Sequence, residues 1–290
     1  MNANRPVLAA GLMIAGMVLI PVGDTFAKLL IAATPYSVEL IAWSRFVVGA
    51  ALALPIMLVM RRWTGITRWF VPACVLRGAL VATAIFLIIT SLGTIPLALA
   101  FGAFFIGPGV ATLLAWLVLR EEVRFIEWMS IAFGFVGVLL VVQPGADFDI
   151  GFFYALAAGV MYGAFNAATR WTRPVGPPLA QLTGQLLVGA LILTPMVMEE
   201  LTYVELQEPW LLLGSGVASA IGNLLAIIAY GLARAAVLTP LIYTQLVSAT
   251  ALTIWVFKDE LNILSLFGLG ITLLAGLMPR LVRRKTSNIG

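Results

Sequence analysis

Stretches of about 20 apolar residues, the length at which a helix crosses a hydrocarbon core about 30 Å thick, recur along almost the whole chain. Only 10% of the residues are charged, against about 25% in an ordinary soluble domain, so lipid rather than water must be the solvent. Divided at charged or turn-rich breaks, the runs are Val7 to Ala32, Val38 to Met60, Val71 to Thr90, Ile95 to Leu119, Phe125 to Val142, Ile150 to Ala167, Leu179 to Met198, Trp210 to Leu232, Ala235 to Phe257 and Leu261 to Met278. Each is read as a membrane-spanning helix, and the fold class as all-α. The first run follows a short head with one arginine, Arg5, but leads straight into further spans, which favours a retained helix over a cleaved signal.

Basic residues fall unevenly on the connections. Arg5, Arg61, Arg62, Arg68, Arg120, Arg124, Arg170, Arg173, Arg234, Arg280, Arg283, Arg284 and Lys285 lie on one side of the expected spans. The opposite connections hold Lys258, together with Asp147, Asp149, Glu199, Glu200, Glu205 and Glu208. The positive-inside bias puts the arginine-rich side, with both termini, in the cytoplasm, and an even number of spans agrees. The expected location is the inner membrane.

The two halves resemble each other. Leu119-Arg120-Glu121-Glu122-Val123 matches Phe257-Lys258-Asp259-Glu260-Leu261 at an offset of 138 residues. Gly78 and Gly93 bracket the third run as Gly216 and Gly231 bracket the eighth. Val48-Gly49-Ala50 through Pro55 matches Val188-Gly189-Ala190 through Pro195. Each half, 1–144 and 145–290, then holds five helices, and an odd number makes the second copy enter from the opposite side. The expectation is ten transmembrane helices in two inverted five-helix repeats, a symmetry from which alternating access follows.

With the repeat, the Ser44-Arg45-Phe46 of the second run, the Leu76-Arg77-Gly78 that opens the third, and the acidic turn Leu119-Arg120-Glu121-Glu122 followed by Gly134 and Gly137, the chain resembles the EamA branch of the drug/metabolite transporter superfamily over nearly its whole length. That resemblance implies a basket of helices around a central cavity, with the fifth and tenth helices more peripheral. Ile95-Pro96-Leu97-Ala98 through Phe104-Phe105-Ile106-Gly107-Pro108 looks somewhat like bacterial riboflavin importers and S-adenosylmethionine carriers.

A charge inside a bilayer costs about 2.5 to 3.5 kcal/mol even on insertion scales, so buried charges are functional candidates. Asp24 and Lys28 are four residues apart on one helix face. At about 1.5 Å per residue, Asp24 and Arg45 reach similar depths from the same membrane face. They form either an ion pair that clamps the first two helices or a substrate site, with Arg45 and Lys28 holding an anionic group and Asp24 as counter-charge, amine ligand or proton carrier. Glu39 and Arg77 are expected to anchor at the interface, and the acids of both repeated turns to pair with basic neighbours in their own loops.

Further candidates for the cavity lining are Trp43, Tyr162, Asn166, Gln185, Asn223, Tyr230, Tyr243, Gln245 and Trp255; the amides among them would be unsatisfied against lipid. The aromatic residues serve equally as packing or interfacial belt, and the amides as interhelical bonds. Gly107-Pro108-Gly109 and Pro240 interrupt the fourth and ninth runs and read as kinks or gates. Gly159 and Gly163, four apart, read as a close helix contact.

Cys74 is the only cysteine and there is no histidine, which excludes a disulfide within the chain, cysteine zinc clusters and imidazole relays. Neither metal nor cofactor is expected. The intramembrane acids amount to Asp24, with Glu39 at an edge, too few for a membrane enzyme. The +4 charge follows from the cytoplasmic arginines and needs no nucleic acid. The expected function is secondary transport of a small polar, zwitterionic or anionic metabolite by a monomer in the bilayer, with a proton or an exchanged counter-substrate as coupling partner. The rivals are a channel and a membrane scaffold.

Overall fold

A computed structural model describes residues 4–95, 97–142, 149–203 and 205–258, together with single positions between 263 and 278. Eight stretches among them are long and apolar enough to cross a membrane: Pro6–Ala33, Val38–Val59, Phe70–Thr94, Ala100–Leu117, Ile150–Trp171, Pro178–Val197, Pro209–Leu232 and Thr239–Phe257. They coincide with the first four and the sixth to ninth expected spans. The fifth, Phe125–Val142, is a shorter apolar helix. The tenth, Leu261 to Met278, lies largely outside the described residues, as does the basic tail.

The helices are α1 (Asn4–Ala33), α2 (Val38–Val59), α3 (Phe70–Thr94), α4 (Leu97–Phe104), α5 (Gly107–Leu117), α6 (Phe125–Val142), α7 (Ile150–Trp171), α8 (Pro178–Val197), α9 (Pro209–Leu232), α10 (Ala235–Leu238) and α11 (Thr244–Phe257). Local chemistry sets their starts. The Ser37 hydroxyl accepts the Leu40 N–H at 3.0 Å to cap α2, and the Asp149 carboxylate accepts the Gly151 N–H at 2.7 Å to cap α7. Proline opens α8 and α9, where its missing N–H has no helical partner to lose.

Two spans leave regular α-helix. Phe105 and Ile106 separate α4 from α5, with Pro108 in the first turn of α5. The chain through Pro240 winds as a 3₁₀ segment, Thr239–Tyr243, between α10 and α11. After α5 and after α11 the chain turns through a left-handed residue, Arg120 at φ 52° and Lys258 at φ 57°. These two residues correspond in the repeated turn.

Packing pairs helices from opposite halves. α1 lies along α9 and α7 along α3; α2 faces α8; α3 meets α8 as α2 meets α9; α11 covers α1, while α4 and α5 cover α7. α6 touches α4 and the 3₁₀ segment, at the periphery. Lipid tails are as apolar as leucine, so helices associate by close fit rather than by hydrophobic burial. Backbones approach closely where α7 crosses the break between α4 and α5. A Cβ at Gly163 would stand 2.5 Å from the Gly107 carbonyl oxygen, and one at Gly159 would strike the carbonyl of Phe104. Gly159→Ala is therefore expected to cost about 1–3 kcal/mol by overpacking, measured as a lower midpoint of thermal unfolding in detergent. An unchanged midpoint would show that the α4–α5 break shifts freely.

The connections are also tied across the halves. The Tyr36 hydroxyl lies 3.0 Å from the Glu205 and 2.9 Å from the Gln207 carbonyl oxygen, and the Ser37 N–H donates to Glu200 Oε1 at 3.0 Å. At the opposite face the Thr67 N–H donates to the Val175 carbonyl at 3.0 Å.

Candidate functional site

Asp24 and Arg45 meet in the middle of the bundle. Arg45 Nη1 lies 2.5 Å from Asp24 Oδ1, with both residues buried. Close backbone approach makes room for the pair: Gly23, beside Asp24, lets α9 come near enough for Ser215 Oγ to donate to the Gly23 carbonyl at 2.8 Å, and a Cβ there would lie 3.3 Å from Arg45 Nη2.

The pair opens onto a small, partly open cavity. α1 contributes Ile20 and Asp24, α2 Arg45, α3 Ala84, Ile85 and Ile88, α4 Phe101 and Phe104, α7 Tyr162, α9 Ser219 and Asn223, and α11 Gln245. One face is apolar and aromatic, and the other is polar. Arg45 Nε, the Tyr162 hydroxyl, Asn223 Oδ1 and Gln245 Oε1 are all buried without a hydrogen-bond partner among the described residues, and so is Asn166 Nδ2, one turn along α7 from Tyr162. An unsatisfied buried polar atom costs about 1–3 kcal/mol, and such atoms are rare in proteins. Four of them line one cavity. Room for water centres is about 20 Å³, where one water needs about 10–15 Å³.

The other sequence candidates lie elsewhere. Lys28 is half-buried, its ammonium 5.6 Å from the ring centre of Phe257, and Asp24 gives its short contact to Arg45 instead. The Trp43 indole N–H donates to Thr194 Oγ1 at 3.0 Å and ties α2 to α8. Tyr243 stacks on Phe105 and donates its hydroxyl to the Ile131 carbonyl at 3.0 Å, so both its face and its hydroxyl are engaged. Trp255, expected in the cavity lining, is 87% exposed on the outer surface of α11. Tyr230 is buried, its hydroxyl beside the Thr239 side chain.

Arg77 corrects the expectation of an interfacial anchor. It is fully buried between α3, α7 and α8, donating from Nε to Thr169 Oγ1 at 3.2 Å, from Nη1 to Gln181 Oε1 at 2.8 Å and from Nη2 to Gln185 Oε1 at 2.6 Å. Its guanidinium also lies 5.5 Å from the Phe165 ring centre. Gln185 therefore holds Arg77 and does not line the cavity. The available signal was Gln181 and Gln185, four apart on one helical face and level with a buried arginine.

The acidic turn after α5 does not pair within itself, contrary to expectation. Glu121 accepts from Arg170 Nε at 2.8 Å, and Arg234 lies 3.6 Å from Glu127 and donates to the Glu122 carbonyl at 2.9 Å. These contacts join three connections. Beside them is an open depression of about 510 Å³ lined by Leu119, Glu121, Arg170, Trp171, Arg173 and Pro174.

Long apolar helices packed around a central cavity define a multi-pass membrane protein. Residues 149–278 match the EamA-like transporter family, which belongs to the drug/metabolite transporter superfamily and whose members are membrane transporters rather than enzymes. The resemblance read from the motifs stands. A solved crystal structure of a protein, 18% identical in sequence, superposes with a TM-score of 0.79 over 96% of this chain and 98% of its own. At that identity the likeness is one of fold. Among curated proteins none matches the chain.

Proposed function

We propose that the chain is a secondary carrier that moves a small polar, zwitterionic or anionic metabolite across the inner membrane by alternating access. The observation that carries this reading is the chamber itself: a buried Asp24–Arg45 pair and unpartnered polar atoms of Tyr162, Asn223 and Gln245, drawn from both halves of the chain. Paired opposite charges suit a guest with an anionic group, a cationic group or both, and Phe101, Phe104 and Tyr162 offer apolar faces to the rest of it.

An inverted repeat of 1–144 and 145–290 supports the alternation. Under exchange of the halves, α1 against α9 becomes α7 against α3, and α2 against α9 becomes α8 against α3. The left-handed turns at Arg120 and Lys258 also exchange. The repeat implies ten spans with both termini in the cytoplasm. Reporter fusions are expected to place Arg61 to Arg68 in the cytoplasm and Glu199 to Glu208 outside, and an extracellular C-terminus would end the ten-span reading.

The decisive experiment uses the purified chain in liposomes. A thermal-shift screen against a metabolite library identifies the guest, since binding to the folded state raises its stability by mass action. Uptake of that metabolite should then saturate and accelerate when unlabelled metabolite is loaded on the opposite side. Flux that never saturates would mean a channel, and no flux of any stabilising metabolite would mean a scaffold.

A further inference from the structure

Four helix ends meet at one face of the bundle: α2 stops at Val59 and α3 starts at Phe70, while α7 stops at Trp171 and α8 starts at Pro178. The two connections are about 100 residues apart in sequence, yet the structure joins them. The Thr67 N–H donates to the Val175 carbonyl at 3.0 Å, and a Cβ on Gly176 would stand 3.0 Å from the Phe70 ring and 3.7 Å from Ile66. Arg68 follows Thr67 directly and Arg173 lies two residues before Val175. The bond therefore brings both arginines to one patch, with Arg61 and Arg62 at the start of the first connection. Trp63, Trp69 and Trp171 are interleaved with them, and all three are exposed. The Arg68 guanidinium lies 5.1 Å from the Trp69 ring centre, within cation–π range.

Charge sets this patch apart from the rest of its face. Residues 60–78 and 171–189 contain no acid. Among the described residues Arg61, Arg62, Arg68 and Arg173 form no ion pair, and all four are exposed. The other arginines there have acids beside them: Arg170 meets Glu121, Arg234 meets Glu127, and Arg120 and Arg124 flank Glu121 and Glu122 in sequence. Four like charges held at one surface favour an anion between them. We propose that the joined α2–α3 and α7–α8 connections form a binding site for the headgroup of an anionic phospholipid.

Depth and chemistry select a lipid over a soluble anion. The apolar spans end at these connections, so the patch stands at headgroup level, where tryptophan concentrates. Guanidinium is a planar fork of donors that matches phosphate oxygens, and an indole ring suits the boundary between headgroup and acyl chain. A soluble anion would engage the arginines and leave the three indole rings without a role. Trp171 and Arg173 also line the open depression of about 510 Å³, which gives the polar end of a lipid room beside the patch; its acid, Glu121, is held by Arg170. One connection belongs to 1–144 and the other to 145–290, so a headgroup held across both favours the arrangement in which they are joined. The site depends on the two connections and not on the central cavity, and it stands whether or not the chain is a carrier.

The test titrates the purified full chain, in a neutral maltoside detergent, with phosphatidylglycerol whose acyl chains are brominated and so quench tryptophan on contact. Brominated phosphatidylcholine with the same chains is the comparison. The expected result is saturable quenching and a higher midpoint of thermal unfolding with phosphatidylglycerol, at concentrations where phosphatidylcholine gives neither, and an affinity that falls as salt is raised. An arginine beside an anionic headgroup surface contributes about fivefold. Arg62→Gln, Arg68→Gln and Arg173→Gln together should therefore weaken binding about a hundredfold, with the midpoint in the absence of lipid unchanged because all three side chains are exposed. Arg124→Gln, on the same face but in the acidic turn, should leave binding as it is. Equal binding of the two lipids, a triple variant that binds like the wild type, or an Arg124→Gln loss as large as that of the triple variant overturns the site. Glycerol phosphate should not raise the midpoint; if it does so as well as phosphatidylglycerol, the patch takes a soluble phosphate and the lipid assignment falls.

Discussion

Arg45→Met alone is expected to destabilise the protein by about 3–5 kcal/mol, because Asp24 would remain as a buried charge with no partner. Arg45→Met combined with Asp24→Leu should fold and insert, since replacing both members of a buried ion pair by packed apolar residues is often neutral or stabilising. The two experiments separate stability from transport. If the pair belongs to the substrate site, the double variant elutes as a monodisperse protein with near wild-type thermal stability and shows no uptake in proteoliposomes. If the pair is a clamp, the same variant keeps wild-type uptake kinetics. The site would then lie with Tyr162, Asn166, Asn223 and Gln245, whose unpartnered atoms do not depend on the ion pair.

Arg77→Met is expected to have the second-largest effect, on stability rather than on substrate. The guanidinium satisfies Thr169, Gln181 and Gln185 together. Each acceptor left unsatisfied costs about 1–3 kcal/mol. Thr169 also donates to the Phe165 carbonyl and the Gln181 amide donates to the Gly176 carbonyl at 2.7 Å, so partial compensation brings the expected total to about 3–5 kcal/mol. Arg77→Lys should recover only part of this, because an ammonium lacks the planar fork that reaches three acceptors at once. The check is unfolding in mixed micelles beside uptake by the surviving fraction. A Met variant of unaltered stability would mean that the three acceptors find new partners in one another. A Met variant of normal stability that transports nothing would move Arg77 into the transport machinery.

Much of the molecule was legible before any coordinates. Eight of the ten expected spans appear as long apolar helices among the described residues, because a bilayer sorts segments by average hydropathy and length. The contact between Asp24 and Arg45 follows from depth counting, since a lone charge of either sign at that level would be costly. The small residues Gly159 and Gly163 announced the close crossing that α7 makes with the α4–α5 break.

Where the reading failed, it failed on facing. Arg77 was judged by its distance from the end of a span, yet three acceptors on α7 and α8 make burial affordable at that depth. Trp255, open by residue type between chamber lining and interfacial belt, faces outward. Tyr243 was open in the same way, and the Ile131 carbonyl holds its hydroxyl. Glu121 has basic neighbours at Arg120 and Arg124, but its partner is Arg170, 49 residues on.

Hydropathy and charge act segment by segment, so most of the spans and the presence of an intramembrane acid and base could be read along the chain. Which side of each helix meets another could not. In lipid both the outer and the inner faces of a span are apolar, so no amphipathic stripe marks the interior. Facing is decided by close fit at a few glycines and by polar atoms contributed from residues far apart in sequence, such as Gln185 on Arg77 and Ser215 on the Gly23 carbonyl. The chamber, its unpartnered atoms and its size exist only once those contacts are made.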